Sequence, residues 1–159
     1  KIEMGEEILY IGFVYLPPVD STTYRQIDIP YDEIEDDISF FSSKGKMCLL
    51  GDWNARIGSL DETIEAEDED VREIFDLVAE ESARENFCDF NQNQRIVVDE
   101  VVSGHGKFFH QLCKSLGLVV FNGRFGFESA QYTSFNHKGK GLVDYVVGQK
   151  WVFHKVKKK

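Results

Sequence analysis

The chain has 159 residues, of which 42% are hydrophobic, and a formal net charge of −10 at pH 7. This composition excludes a disordered chain, and no apolar run is long enough to cross a bilayer as a helix. The acidic balance also argues against a tight, nonspecific nucleic-acid binder, because the surface of such a protein is basic. We expect a single domain over residues 1–159 with its own hydrophobic core.

The start of the chain and its cysteines bear on where the protein works. The first residues, KIEMGEEILYIGF, show no secretory signal. They also lack an initiator Met, so we expect a piece of a longer protein. Cys48, Cys88 and Cys113 lie far apart in apolar surroundings, without disulfide or zinc spacing. This pattern indicates a reducing, intracellular setting.

The first half of the chain predicts two strands and two helices. EEILYIGFVYLPP is rich in Ile, Val, Phe and Tyr and predicts a buried strand, which the two prolines end. IPYDEIEDDISFFSSKG (29–45) has helical spacing of its apolar residues and acidic residues in its first turn, so it predicts a helix. KMCLLGDWN predicts the second strand. VREIFDLVAEESARENF (71–87), in a strongly acidic stretch, predicts a surface helix.

The second half adds one helix and more strands. RIVVDEVV (95–102) could form a short strand, GKFFHQLCKSLG is the clearest helix, and LVVFN predicts a third core strand. QYTSF and LVDYVV flank the turn-prone NHKGKG and predict a hairpin, and WVFHKV predicts a last strand. The alternation of elements predicts an α/β fold with a mixed sheet.

LLGDWNARIG (49–58) is the first candidate for chemistry. Side chains two apart on a strand point to the same face, so Asp52 and Asn54 are expected side by side where the second strand ends. A carboxylate can bind a metal or take a proton from water, and a neutral amide can donate to a phosphate oxygen. The alternative is a simple turn, because Asp and Asn are common turn residues.

Three more polar residues are candidates, one inside a predicted strand and two at strand ends. Asp144 interrupts the apolar stretch LVDYVV, where a carboxylate is costly unless something pairs with it. The alternative for Asp144 is a solvated position at the mouth of the strand. Tyr15 ends the first strand and Asn122 ends LVVFN. Polar residues at several strand ends are typical of an α/β site, although a strand Tyr by itself is more often a core residue.

Several motifs together resemble one superfamily. VYLPP, LLGDWNARIG, FFHQLCKSLGLVVFNGR and YTSFNHKGKGLVDYVV occur in the order found in the endonuclease/exonuclease/phosphatase superfamily, which includes DNase I and the apurinic/apyrimidinic endonucleases. The motifs are most similar to the endonuclease domains of non-LTR retrotransposons, which carry GDFNAR-G, an NGR after a core strand and a late DY. The resemblance covers nearly the whole chain and is poor in the acidic segment 60–81.

The resemblance implies a fold, a reaction and residue roles. The fold would be a partial DNase I-like α/β sandwich of mixed sheets flanked by helices, and the reaction a cleavage of DNA phosphodiester bonds with Mg²⁺ or Mn²⁺. Asp52 would hold the metal and position or deprotonate water, while Tyr15 and Asn54 would contact the phosphate. Asp144 would orient a catalytic histidine. The candidates for substrate binding are Arg56, Asn122 and His137.

Parts of the superfamily's site have no counterpart in the chain. These are an asparagine and a glutamate that hold the metal, and a final Ser-Asp-His sequence. His154 fits an edge strand, His105 and His110 are expected on the surface, and a solvated turn is the alternative for His137. We therefore expect weak metal binding and little or no nuclease activity from the chain alone.

Missing strands also predict association. A sheet without its partner strands exposes apolar surface and open edges, so we expect self-association through EEILYIGFVYL. The implied partner is DNA and not a membrane, and a mobile-element endonuclease would work in the nucleus. Two alternatives stay open. One is a catalytically inactive remnant or protein-interaction module, and the other is a phosphatase or lipid phosphodiesterase of the same superfamily.

Overall fold

The computed structural model describes residues 1–18, 21, 31–60, 95–125, 130–137 and 139–157, apart from the side chains of Met4 and Lys157. Its strands, in chain order, are β1 (Ile2–Met4), β2 (Glu7–Tyr15), β3 (Lys46–Asp52), β4 (Leu118–Val120), β5 (Ser134–Asn136), β6 (Gly139–Gly141) and β7 (Asp144–Gln149). The helices in these ranges are α1 (Tyr31–Ser42), α2 (Gly104–Ser115) and α3 (Lys150–Lys157). None of the described helices combines the length and the apolar character needed to span a bilayer.

Five strands form one mixed sheet in the order β1-β2-β3-β7-β4. β2 and β3 are parallel, whereas β7 lies antiparallel to β3 on one side and to β4 on the other. β2, β3 and β4 therefore run in one direction and β7 runs in the opposite one. α1 lies between β2 and β3 in the sequence, as the crossover between two parallel neighbours requires. The predicted α/β class with a mixed sheet is confirmed.

Helices α1 and α2 contribute to the larger core cluster, on one face of the sheet. In this cluster, Leu49 and Val147 of the central strands are joined by Ile38 of α1 and Phe109 of α2. Trp53, directly after β3, is fully buried in the same cluster, and its ring centroid lies 4.5 Å from that of Phe109. Because full burial of a side chain of this kind stabilises a fold by about 1.5–3 kcal/mol, this face holds the chain after β3 firmly in place.

Helix α3 covers part of the opposite face. Its buried residues Val152 and Phe153 belong to a second cluster with Cys48, Val119 and Phe121. The strand predicted for WVFHKV is therefore wrong. Neighbouring residues of a strand point to opposite faces, whereas a helix can turn both Val152 and Phe153 toward the sheet. The aromatic and β-branched composition of this stretch reflects its burial and not an extended backbone.

Most other predicted elements are found, with two corrections. The first two predicted strands are β2 and β3, the helix predicted at 29–45 contains α1, and the later helix and core strand are α2 and β4. The predicted hairpin is wrong in its partner, because β5 pairs with β6 while β7 lies between β3 and β4. RIVVDEVV is irregular apart from one bridge between Val102 and Ile57. The helix predicted at 71–87 lies outside the described residues.

Apolar side chains are exposed on the outer half of the sheet, here called the β1–β2 face. Leu9 of β2 belongs to the cluster under α3, and alternate residues of a strand share a face, so Ile11 and Phe13 lie on that same face. Phe13 is 84% exposed, and Ile2, which pairs with Leu9, is also exposed. β1 is the outermost strand of the sheet, beside these residues. The apolar surface that the expected self-association requires is therefore present.

We expect weak self-association in which a second copy covers the β1–β2 face. Phe13→Ser removes the largest exposed apolar side chain of this face and should reduce the association measured by sedimentation velocity over a concentration series. Phe40→Ser is the matched control, because Phe40 is also exposed but lies on α1, on the other side of the sheet. A wild-type protein that stays monomeric at every concentration would contradict this expectation.

Candidate active site

The C-terminal ends of three strands and the N-terminal end of a fourth lie side by side along one border of the sheet, perpendicular to the strands, which is called the sheet edge below. β2, β3 and β4 finish there, and β7 begins there because it runs in the opposite direction. In the strand register Tyr15 lies beside Asp52, and Asp52 lies opposite Asp144. Paired residues of neighbouring strands project from the same face, so the three side chains form a line that we call the carboxylate row. The structure thus brings together two aspartates for which the resemblance implies different roles, Asp52 with a metal and Asp144 with a histidine.

The charge of Asp144 acts on the carboxyl group of Asp52. Cβ atoms of directly opposed residues lie about 4.5–5.5 Å apart in antiparallel strands. Partial burial raises the pKa of Asp52, the charge of Asp144 raises it further, and the backbone N–H of Asn54 opposes the shift. Like charges opposite each other destabilise a sheet, so this arrangement costs folding free energy when no cation is bound. Such a cost is more typical of a functional site than of a structural one.

Asp52 and Asn54 are held by a turn at the end of β3. The backbone N–H of Asn54 donates to Oδ1 of Asp52 at 2.9 Å, and Asn54 has a left-handed φ of 45°. Its side-chain Nδ2 donates to the carbonyl oxygen of Leu16 at 2.6 Å. Strand alternation therefore does not place Asn54, because β3 has already ended. The turn and the site are not exclusive alternatives, since the turn keeps both side chains at the sheet edge.

The N-terminus of α2 supports the loop after β3. Ser103 is the N-cap of α2, and its Oγ accepts the N–H of Gly106 at 3.0 Å. The same Oγ accepts the N–H of Arg56 at 3.0 Å, and the N–H of Ser103 donates to the carbonyl oxygen of Arg56 at 2.8 Å. Ser103 is not among the residues predicted from sequence, although a serine directly before the helical stretch GHGKFF is an N-cap signal.

Gly106→Ala should destabilise the protein by about 2 kcal/mol or more, because the new Cβ would collide with a backbone carbonyl. A Cβ at Gly106 would lie 1.9 Å from the carbonyl oxygen of Arg56. Gly104→Ala is the matched control in the same helical turn, because a Cβ at Gly104 would meet no atom within 4 Å. Alanine also favours a helix, so this control should keep or slightly raise stability in urea unfolding. Equal stability of the two variants would contradict the close packing of Gly106.

Arg56 is bound by Asp99, a buried carboxylate from another segment. Nε and Nη2 of Arg56 donate to the two carboxylate oxygens of Asp99 at 2.7 and 2.6 Å. Burial would raise the pKa of Asp99, but hydrogen bonds from Arg56 and from the N–H groups of Leu142 and Val101 outweigh it and keep the pKa below its ordinary value. Arg56, which the sequence suggests for substrate binding, is thus first of all part of a structural ion pair.

Asp99 could have been found from the sequence. It stands in VVDEVV between valines, as Asp144 stands in LVDYVV. Asp99, like Asp144, is therefore expected to have a partner, because a carboxylate in apolar surroundings is costly without one.

A polar cleft of about 270 Å³ lies between the loop after β3 and the β5–β6 hairpin. Asn54, which follows Asp52 by two residues, is among the residues that line this cleft. Arg56 and Lys140 add cationic groups, and Ser134 and Asn136 add neutral polar groups. Side chains of these types are the ones that contact phosphate oxygens in protein–DNA interfaces.

The remaining predicted residues lie in different places. Asn122 supports the row, because its Nδ2 donates to the carbonyl oxygen of Asp144 at 3.2 Å and its Oδ1 accepts the N–H of Val146 at 2.9 Å. His137 is exposed in the turn between β5 and β6, and it directly follows Asn136, which lines the cleft. His154 belongs to α3, which follows the far end of β7, roughly 17 Å from the row at about 3.4 Å per strand residue.

His105 is buried, which corrects the expectation of a surface residue. Its side chain is in the first turn of α2, only 2% of the residue is exposed, and its ring meets that of Tyr31 edge-on at 6.4 Å. Burial lowers the pKa of His105, and hydrogen bonding to the backbone of Asn54 and Trp53 opposes this. His105 lies four residues before the buried Phe109, so helical spacing would have placed it on the buried face.

The row offers two carboxylates to a divalent cation. In the part of the chain that the structure describes, no three His, Cys, Asp or Glu side chains come together as metal ligands. Asp52 and Asp144 nevertheless suit Mg²⁺ or Mn²⁺, because such ions bind through one or two carboxylates and fill their remaining positions with water and substrate phosphate oxygens. The residues present therefore fit a weakly held cation.

Comparisons with protein-family models, with curated proteins and with solved structures give no match for this chain. The chemistry of the site follows from the carboxylate row together with Asn54. A carboxylate can take a proton from water, and a phenol and an amide can donate to an oxygen on which charge develops. Hydrolysis of a phosphoester requires both functions.

Asp52→Asn should raise stability at neutral pH by about 0.5 kcal/mol, because it removes a charge that is partly buried and that faces Asp144, and it keeps an oxygen for the N–H of Asn54. The pKa of Asp52 is higher in the folded state than in the unfolded state. Ionisation therefore destabilises the fold, and the deficit of the wild type appears as pH rises from the unfolded pKa through the raised folded pKa.

Urea unfolding at about pH 3 and about pH 7 tests this expectation, with the advantage of Asp52→Asn confined to the higher pH. Asp52→Ala is the control, because it loses both the charge and the acceptor of the turn and should be less stable than Asp52→Asn. The same advantage of Asp52→Asn at both pH values would show that ionisation of Asp52 is not its cause.

Proposed function

We propose that this chain carries a divalent-metal-dependent phosphodiesterase site of the DNase I-like kind, which acts on DNA with low intrinsic activity. The carboxylate row is the observation that carries the proposal, because three side chains from distant segments line up at one sheet edge. The resemblance to endonucleases of mobile elements supports it, since the motifs GDWNAR and LVDYVV supply the two aspartates of the row.

Asp52 and Asp144 would hold Mg²⁺ or Mn²⁺ in this proposal. When bound, such a cation stabilises negative charge on the phosphoryl oxygens. Asp52 has the further task of orienting the attacking water and accepting its proton.

Tyr15 and Asn54 are the donors available to the phosphate. Tyr15 is 69% exposed at the end of the row, so its hydroxyl can reach a substrate that lies across the sheet edge. Asn54 gives one N–H of its side chain to the carbonyl of Leu16, and its side chain also hydrogen-bonds to Asp52, so it would reach a phosphate by exchanging the contact with Asp52. Both groups are neutral, so neither cancels the charge of the carboxylates.

The polar cleft favours a polynucleotide over a small phosphoester. A small substrate needs only the row, whereas a polynucleotide has a neighbouring phosphate that Lys140 can contact beside the ion-paired Arg56. The β5–β6 hairpin adds the exposed ring of Phe135, and the ammonium of Lys140 lies 4.2 Å from the ring centroid of Tyr132. An exposed aromatic ring beside cationic groups suits contact with a base and its backbone.

A protein-interaction module is the second candidate, and the β1–β2 face favours it. Phe13 lies two residues before Tyr15 on the same strand face, so the exposed apolar surface continues to the row. A binding partner on this face would cover Tyr15 and restrict access to the carboxylates. In that case the row is a remnant of a catalytic site.

Slow nicking of supercoiled plasmid DNA with Mn²⁺ or Mg²⁺ is the expected activity. Asp52→Asn and Asp144→Asn should each reduce the rate by about 100-fold or more, because they remove a cation ligand or a general base. Asp36→Asn is the matched control, since Asp36 is an exposed carboxylate on α1. Nicking that both row variants retain would contradict the proposed site.

The same preparation separates the alternatives. Hydrolysis of a small phosphate monoester without nicking of DNA would favour a phosphatase. No hydrolysis and no binding of Mn²⁺ would favour the interaction module.

A further inference from the structure

Asp99 lies where the two segments that carry the aspartates of the row come together. Its Oδ2 accepts Nε of Arg56 at 2.7 Å and the N–H of Leu142 at 2.9 Å. Arg56 follows Asn54 by two residues, and Leu142 precedes Asp144 by two residues. One oxygen atom therefore binds both the loop after β3 and the approach to β7.

The surroundings of Asp99 require an ionised carboxylate. Oδ1 accepts Nη2 of Arg56 at 2.6 Å and the N–H of Val101 at 3.1 Å, so four donors converge on two oxygens. An ionised carboxylate has about four acceptor positions, which this arrangement uses. Asparagine has the same shape but would turn an NH₂ group toward two of the donors. Because Asp99 is only 6% exposed, water has little access to replace the lost hydrogen bonds.

The β5–β6 hairpin packs on the same ion pair. Nη2 of Arg56 lies 3.4 Å from the carbonyl oxygen of Lys140. A Cβ at Gly141 would lie 3.3 Å from Nε of Arg56 and 3.5 Å from Oδ2 of Asp99. Together with Ser103, which holds the backbone of Arg56, these contacts leave the pair little freedom to move.

We propose that Asp99 is a positioning residue that sets the geometry of the carboxylate row through Arg56 and Leu142. It couples the Asn54 turn to the start of β7 and so determines how Asp52 and Asp144 face a cation. The effect on the cation depends on the function proposed above, whereas the coupling of the two segments does not.

Amide resonances and Mn²⁺ affinity of the Asp99→Asn variant test this proposal. The amide resonances of Asn54 and Asp144 should both shift, and Mn²⁺ should bind about 10–100-fold more weakly, the usual effect of changing a group that orients metal ligands. Asp99→Glu keeps the carboxylate and should restore part of both signals. Val152→Ala is the control, because it removes buried volume under α3 and should lower stability without changing either signal.

A folded Asp99→Asn protein with wild-type resonances at Asn54 and Asp144 and wild-type Mn²⁺ affinity would overturn the proposal. If Asp99→Asn does not fold, Arg56→Lys provides the same test, because it keeps the positive charge and removes the two-pronged hydrogen bonding. A wild-type protein that binds no Mn²⁺ would contradict the phosphodiesterase function. The resonances of Asn54 and Asp144 would then decide the role of Asp99 by themselves.

Discussion

The ion pair between Arg56 and Asp99 is the contact on which the arrangement of the candidate site depends. A carboxylate with so little access to water is stable only while its donors stay in place, because leaving a buried charge unpaired costs several kcal/mol, about 3–5 in measured cases. The donors come from the loop after β3, from Val101 and from Leu142. The cost of exposing this charge therefore keeps together segments that are far apart in the sequence.

The sheet supplies the second constraint, which is direction. β2, β3 and β4 run one way and β7 runs the other, so three carboxyl ends and one amino end share an edge. The register then places Asp52 between Tyr15 and Asp144. Two like charges at this position cost stability, and a bound cation would reverse that cost. The exposed β1–β2 face begins at the same row, because Phe13 and Tyr15 lie on one face of β2.

Local signals predicted single elements better than they predicted contacts. Apolar stretches bounded by Pro or Gly predict β2, β3 and α2, because the apolar residues that each element buries lie within its own stretch of sequence. The composition of WVFHKV predicts a strand wrongly, because aromatic and β-branched residues indicate burial and do not determine the backbone conformation. The hairpin predicted for LVDYVV is wrong for a different reason. QYTSF is the nearer stretch in the sequence, yet β7 pairs with β3 and β4. Strand pairing depends on the whole sheet, which no single stretch contains.

The sequence by itself determined the α/β class and marked Asp52, Asn54 and Asp144 as candidates for one site. These follow from composition and from polar residues in apolar stretches, which are local properties. Only the tertiary structure decided that Arg56 is held by Asp99, that His105 lies under the Asn54 turn, and that Asn122 supports β7. Those roles are set by neighbours from distant segments, and the hydrogen bonds that define them exist only once the sheet and helices have packed.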